Sequence, residues 1–134
     1  MKLSLHIDFN GQCREAFSYY AQLFNGIVGV MLAYKDTPAG AHVDSVWGDK
    51  IVHANVAFQG IEISGADVKS DQYNRPAGFY LLMNLSSEEE VHSAFLALAA
   101  NGAVILRPQK TFWSPCYAIV IDQFGVPWKL NCGN

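Results

Sequence analysis

The chain has 134 residues, of which 51% are hydrophobic and 16% charged, with a formal net charge of −3. That length suits one domain or two small modules sharing a core, and the charge excludes the basic footprint that nucleic acid requires. Lys and Arg are scattered, with no basic run or amphipathic basic helix to hold a membrane surface, and the lean charge favours a homodimer that buries apolar area.

Leu3, Leu5, Ile7 and Phe9 alternate with Ser4, His6 and Asp8, the period-two pattern of a half-buried strand over residues 3–9. The same alternation breaks the apolar run that a signal peptide or membrane span would need. Three cysteines with no close pairing fit a reducing compartment, so a cytoplasmic location is expected. From Cys13 the period changes: Cys13, Ala16, Phe17, Tyr20, Leu23 and Phe24 share one helical stripe, and Asn25-Gly26 stops it. Strands are expected over 27–34, 51–58 and 61–64. Residues 37–50, rich in Gly, Asp and Ala, read as a long loop of functional or mobile character.

The order then repeats. Phe79, Leu81, Met83 and Leu85 alternate with Tyr80, Leu82 and Asn84, and Ser86 with Glu89 has the spacing of a capping box. Val91, Phe95, Leu98 and Ala99 supply the helical stripe, and Asn101-Gly102 ends it. Strands follow over 103–107, 116–122 and 128–132, with a tight turn at Asp122-Gln123-Phe124-Gly125, where Asp122 reads as turn chemistry. The chain thus reads as α+β: module one over 1–66, a linker over 67–77, and module two over 78–134.

These repeated units resemble the vicinal-oxygen-chelate superfamily of glyoxalase I, bleomycin-resistance proteins and extradiol dioxygenases. The PhnB-like branch is the nearer match. The resemblance is carried by Phe9-x-Gly11 with Ala16 and Tyr19-Tyr20, by His53-Ala54-Asn55-Val56, and by Thr111-Phe112-Trp113. Asp122-x-Phe124-Gly125-Val126-Pro127-Trp128 completes it. It implies two βαβββ modules forming a cupped mixed β-sheet with helices on the outer face, and a cleft built within one chain or across a dimer. Fold alone does not transfer function. Methyltransferase labels common in the branch are not expected to apply, because no Gly-rich strand-to-helix loop for S-adenosylmethionine occurs.

Metal enzymes of the superfamily take one ligand from the first and one from the last strand of each module. By strand parity those positions map to His6 and Glu62, then Tyr80 and Lys129. His and Glu suit Zn²⁺, Ni²⁺, Mn²⁺ or Fe²⁺, but a protonated Lys has no lone pair to give and its charge repels a cation. The expectation is therefore a small molecule held in the cup without a metal. His6, Glu62 and Tyr80 are the candidate catalytic groups, and Lys129, Phe112, Trp113 and Asn131 the ligand contacts. In this reading Lys129 stands in for the ion by compensating the charge of Glu62. The alternative is a divalent-metal-dependent lyase, isomerase or transferase like glyoxalase I or the fosfomycin-modifying enzymes, with His6 and Glu62 as ligands. His53 is expected to be a hydrogen-bonded structural residue, Cys13 to pack in the core, and His42 and His92 to be inert. No Ser-His-Asp arrangement, phosphate-cradling loop or Cys-x-x-Cys pair is recognisable along the chain.

Overall fold

Alternation gives the first strand, β1 (Leu5–Phe9), which starts two residues later than its apolar pattern because Leu3 lies out in solvent. A computed structural model describes residues 1–133, and the chain divides into two units, Met1–Asn74 and Arg75–Asn134. In the first unit β1 leads to helix α1 (Cys13–Phe24), then β2 (Ile27–Ala33), β3 (Ile51–Phe58) and β4 (Ile61–Asp67). The sheet order is β1-β4-β3-β2, with β1 parallel to β4 and the other neighbours antiparallel. One face lies under α1, whose Cys13, Ala16, Phe17 and Tyr20 are wholly buried. Each such large side chain contributes roughly 1.5–3 kcal/mol by leaving water. Phe17 meets Phe9 edge-on at 5.6 Å. Gly65 on β4 leaves it room, since a Cβ there would come within 2.6 Å of the ring. Burial, helped by the charge of Asp67, pushes the Cys13 thiol well above its ordinary range, so Cys13 is a core residue.

Residues 37–50 are not one open loop. Two 3-10 turns, 34–36 and 38–42, precede the short helix α2 (Ser45–Gly48), whose N-terminus is capped by Asp44 accepting from Trp47 N at 2.8 Å. Asp and Ser in such a segment serve as caps as readily as loop residues, which composition alone does not distinguish.

The second unit repeats the plan: β5 (Leu81–Leu85), α3 (Glu88–Ala99), β6 (Ala103–Gln109), β7 (Tyr117–Ile121) and β8 (Pro127–Cys132), in sheet order β5-β8-β7-β6. Helix α3 covers one face with Val91, Ala94, Phe95 and Leu98. The capping box falls one residue later than expected: Ser87, not Ser86, is the N-cap, accepting from Glu90 N at 3.1 Å. Ser86 Oγ instead donates to Glu90 Oε1 at 2.6 Å, so both serines converge on one glutamate. The chain spends two residues, not one, between β5 and α3.

Both Asn-Gly pairs divide their labour in the same way. Asn25 (φ 54) and Asn101 (φ 58) take the left-handed turn, which asparagine tolerates. Each glycine then passes close to a neighbouring strand. A Cβ on Gly26 would strike the Phe58 ring, and one on Gly102 would strike the backbone of Ile121 and Asp122. A ring can rotate, whereas the backbone where β7 enters its turn is tied down by hydrogen bonds and cannot. Gly102→Ala should therefore cost about 2–3 kcal/mol and Gly26→Ala less, measured by urea unfolding of the two variants.

Candidate functional site

Strand alternation leaves each sheet one face that the helix does not cover. In the first unit Ile7 and Phe9 are buried, so His6 and Asp8 point the other way and are half-exposed. Glu62 and Ser64 on β4 share that open face with them, and so does Asn55 on β3. The register makes His6, Ser64 and Asn55 one continuous cross-strand row: His6 is level with Ser64, and Ser64 with Asn55.

The fold thus assembles a serine, a histidine and an aspartate that the linear sequence does not announce. His6 Nδ1 lies 3.0 Å from Ser64 Oγ, and His6 Nε2 lies 2.9 Å from Asp8 Oδ1. Asp8 is an i+2 neighbour, visible in principle from alternation. Ser64 is 58 positions away and becomes a neighbour only through the β1–β4 register. Glu62 sits one pleat away, held by Lys2 Nζ at 3.3 Å and by Asn55 Nδ2 at 3.4 Å. Asn55 Oδ1 in turn accepts from Val30 N at 2.7 Å, filling the gap where the β2–β3 register slips. Gly29 permits this, since a Cβ there would collide with Asn55 Oδ1. His53, expected as a hydrogen-bonded structural residue, lies exposed on β3 on the sheet's open side.

In the second unit Trp128 and Leu130 are buried under α3, leaving Lys129 and Asn131 on the open face. Lys129 Nζ stands 4.5 Å from the centre of the Tyr80 ring, a cation–π contact. Tyr80 itself precedes β5 and lines a shallow cavity of about 160 Å³ with Phe79, Ile105, Ile121 and Pro127. Asn131 Nδ2 donates to Asn84 Oδ1 at 2.9 Å, while among the described residues no donor reaches the buried Asn131 Oδ1. A buried acceptor left so is costly unless something supplies a donor.

Phe112 and Trp113 lie in the connection between β6 and β7. A turn closed by Thr111 N to Ser114 O at 2.9 Å throws them outward, Phe112 being 97% and Trp113 56% exposed. Trp113 is stacked edge-on between Phe112 at 4.7 Å and Tyr117 at 5.3 Å, an aromatic ladder beside Asn131, which Tyr117 opposes in the β7–β8 register.

Seven residues singled out from the sequence therefore fall on two faces: His6 and Glu62 on the first sheet, and Tyr80, Lys129, Asn131, Phe112 and Trp113 on or beside the second. Signals missed in the sequence are Asp8, Ser64 and Asn55. Among the described residues, no group of three or more His, Cys, Asp or Glu side chains is placed to hold a metal ion. The donor atoms of His6 and Glu62 are already engaged by protein partners. This donor set does not fit a divalent ion as it stands.

Two four-stranded mixed sheets, each with a βαβββ order and an uncovered face, define the chain as a protein of the glyoxalase/bleomycin resistance/dioxygenase fold. An enzyme of that family from Burkholderia phytofirmans PsJN shares the fold at a TM-score of 0.66 and 13% identity, over 96% of this chain and 95% of that one. Within this class the chain belongs to the PhnB-like family, whose model bears the description 3-demethylubiquinone-9 3-methyltransferase and matches residues 1–131. It is similar to protein YjdN of Escherichia coli K12, at 31% identity over 140 residues, covering 98% of this chain and 95% of that protein. It is also similar to protein PA1353 from Pseudomonas aeruginosa, whose crystal structure matches at a TM-score of 0.87 and 33% identity, over 98% and 97% of the two chains.

Proposed function

We propose that this PhnB-like protein binds a small molecule on its open sheet faces, without a metal ion. The observation carrying this reading is the second unit's face. There the Lys129 ammonium stands over the Tyr80 ring, which lines an apolar cavity, and Asn131 presents a buried acceptor two residues further along the strand. An ammonium beside apolar walls suits a compact, largely apolar molecule with one anionic group, and Asn131 Oδ1 suits a donor on it. Phe112 and Trp113 add an aromatic surface for a flat ligand. On the first unit's face, His6 and Glu62 offer a proton-exchanging ring and a carboxylate. A homodimer belongs to the same reading, supported by the exposed Ile27, Val30 and Leu32 of edge strand β2.

Methyl transfer is not part of this reading. The β1–α1 connection carries a single glycine, Gly11, whose carbonyl accepts from Lys50 Nζ at 2.9 Å, and the β5–α3 connection is Ser86-Ser87. Neither resembles the glycine-rich turn that cradles such nucleotide cofactors.

Thermal-shift titration with aryl carboxylates and aryl phosphonates tests the proposal. A saturable rise in Tm is expected, with Lys129→Met weakening binding at least about tenfold, equivalent to about 1.4 kcal/mol. Unchanged affinity in that variant would sink the role of Lys129. The competing reading, a divalent-metal-dependent lyase, isomerase or transferase, is favoured by His6 and Glu62 sharing one face. It predicts that equimolar Zn²⁺ or Ni²⁺ raises Tm in the wild type and not in His6→Ala or Glu62→Ala.

A further inference from the structure

We infer that Ser64 is a nucleophile activated by His6, in a site that takes up the acyl group of activated carboxylic esters. Three observations converge on it. Asp8 Oδ1 lies 2.9 Å from His6 Nε2. A carboxylate only accepts, so in the neutral ring the proton sits on Nε2, and Nδ1 keeps its lone pair for the Ser64 hydroxyl at 3.0 Å. This is the order of a nucleophile, its base and the group that orients the base. The geometry is also imposed by the backbone. Asp8 follows His6 by one pleat on β1, and Ser64 is the registered partner of His6 on β4, so the single β1–β4 ladder holds all three in place.

The third observation is Asn55, the registered partner of Ser64 on its other side. Its carbonyl oxygen is committed to Val30 N at 2.7 Å, which fixes the amide and leaves Nδ2 as the donor turned toward β4. An amide donor beside a nucleophile is the requirement for receiving the oxyanion of a tetrahedral intermediate. The carboxylate of Glu62 also meets Nδ2, at 3.4 Å, and would oppose that charge, but it is compensated by Lys2 Nζ at 3.3 Å.

The step balances without a further reactant. Ser64 Oγ bonds to the ester carbonyl carbon as its proton passes to His6 Nδ1. The bond from that carbon to the alkoxy or aryloxy oxygen breaks, and the leaving oxygen takes the proton from His6. Water then attacks acyl-Ser64, giving its proton to His6 Nδ1, and the free acid and the serine hydroxyl are restored. Because His6 and Asp8 are half-exposed on an open sheet, little surrounds the leaving group, and esters with good leaving groups such as aryl acetates are the fitting class.

The inference stands on unit-one residues alone and is read by a covalent adduct, while the binding proposal is read by a thermal shift. Either can therefore fail without the other. The whole chain is incubated with a fluorophosphonate and with 4-nitrophenyl acetate. One adduct per chain is expected, mapped to Ser64 by peptide mass spectrometry, and absent in Ser64→Ala. His6→Ala should slow acylation at least about 100-fold. Asp8, a positioning residue, should on change to Asn lower the acylation rate constant about tenfold or more while the half-saturating ester concentration stays unchanged. In Ser64→Cys, iodoacetamide should alkylate residue 64 faster than in the Ser64→Cys, His6→Ala double variant. An adduct mapped elsewhere, no adduct at all in folded wild type, or equal alkylation rates in the two cysteine variants would overturn the inference.

Discussion

Asp122→Ala should destabilise the protein by on the order of 4 kcal/mol, the largest effect expected of any single substitution considered. Its carboxylate is buried and accepts three separate donors: Phe124 N at 2.9 Å, Val126 N at 3.0 Å and Trp128 Nε1 at 2.9 Å. Removing it takes away three hydrogen bonds to a buried carboxylate, and hydrogen bonds to a charged group are worth about 1.5–3 kcal/mol each. The turn between β7 and β8 is closed by the same residue, through Asp122 N to Val126 O at 2.9 Å, so the hairpin that presents Lys129 and Asn131 depends on it. Urea unfolding followed by tryptophan fluorescence measures the loss. Adding Trp128→Phe removes one of the donors, so the second change should cost less in the Asp122→Ala background than in the wild type. Additive costs would mean that the Trp128–Asp122 bond contributes little.

Asp67→Ala should cost about 3 kcal/mol at neutral pH, and the cost should depend on pH in a defined direction. The Asp67 side chain accepts from Cys13 N at 2.9 Å and Ile51 N at 2.8 Å, tying the first residue of α1 and of β3 to the last of β4. Two orphaned buried donors at about 1–3 kcal/mol each account for the figure. Burial pushes its carboxyl above the ordinary 3.8, against the backbone N–H groups of Ile51 and Cys13 and the charge of Lys50. A carboxyl raised in the folded state binds its proton more tightly there than in the unfolded chain. The stability due to that proton is therefore complete below about pH 3.8 and is lost as pH rises through the raised folded value. Asp67→Asn, which cannot ionise, lacks this decline. Urea titrations from pH 4 to pH 7 should show the wild type falling relative to Asp67→Asn as pH increases. A constant difference would mean that burial does not perturb the group.

Both carboxylates illustrate what a linear pattern conceals. Asp122 is recognisable beforehand as turn chemistry, because its partners lie two, four and six residues away. Asp67 looks like the start of a linker, yet β4 continues through it and its partners are 54 and 16 residues distant. The helices follow the same division. The stripe of α1 is written in its apolar spacing, whereas the exact cap of α3, Ser87 in place of Ser86, depends on where β5 ends.

Strand and helix order, the twofold repetition and the outward placement of His6, Glu62, Lys129 and Asn131 all follow from the chain's own periodicity. Alternation and helical spacing are properties of neighbours, and neighbours are what a chain spells out. Contacts between distant segments were decided only by the tertiary structure: strand register sets Ser64 between His6 and Asn55, and the chain entering β5 brings the Tyr80 ring to the Lys129 ammonium. A register shift of one residue would turn these side chains to the opposite face, and nothing local in the sequence sets which rung of one ladder meets which rung of the next.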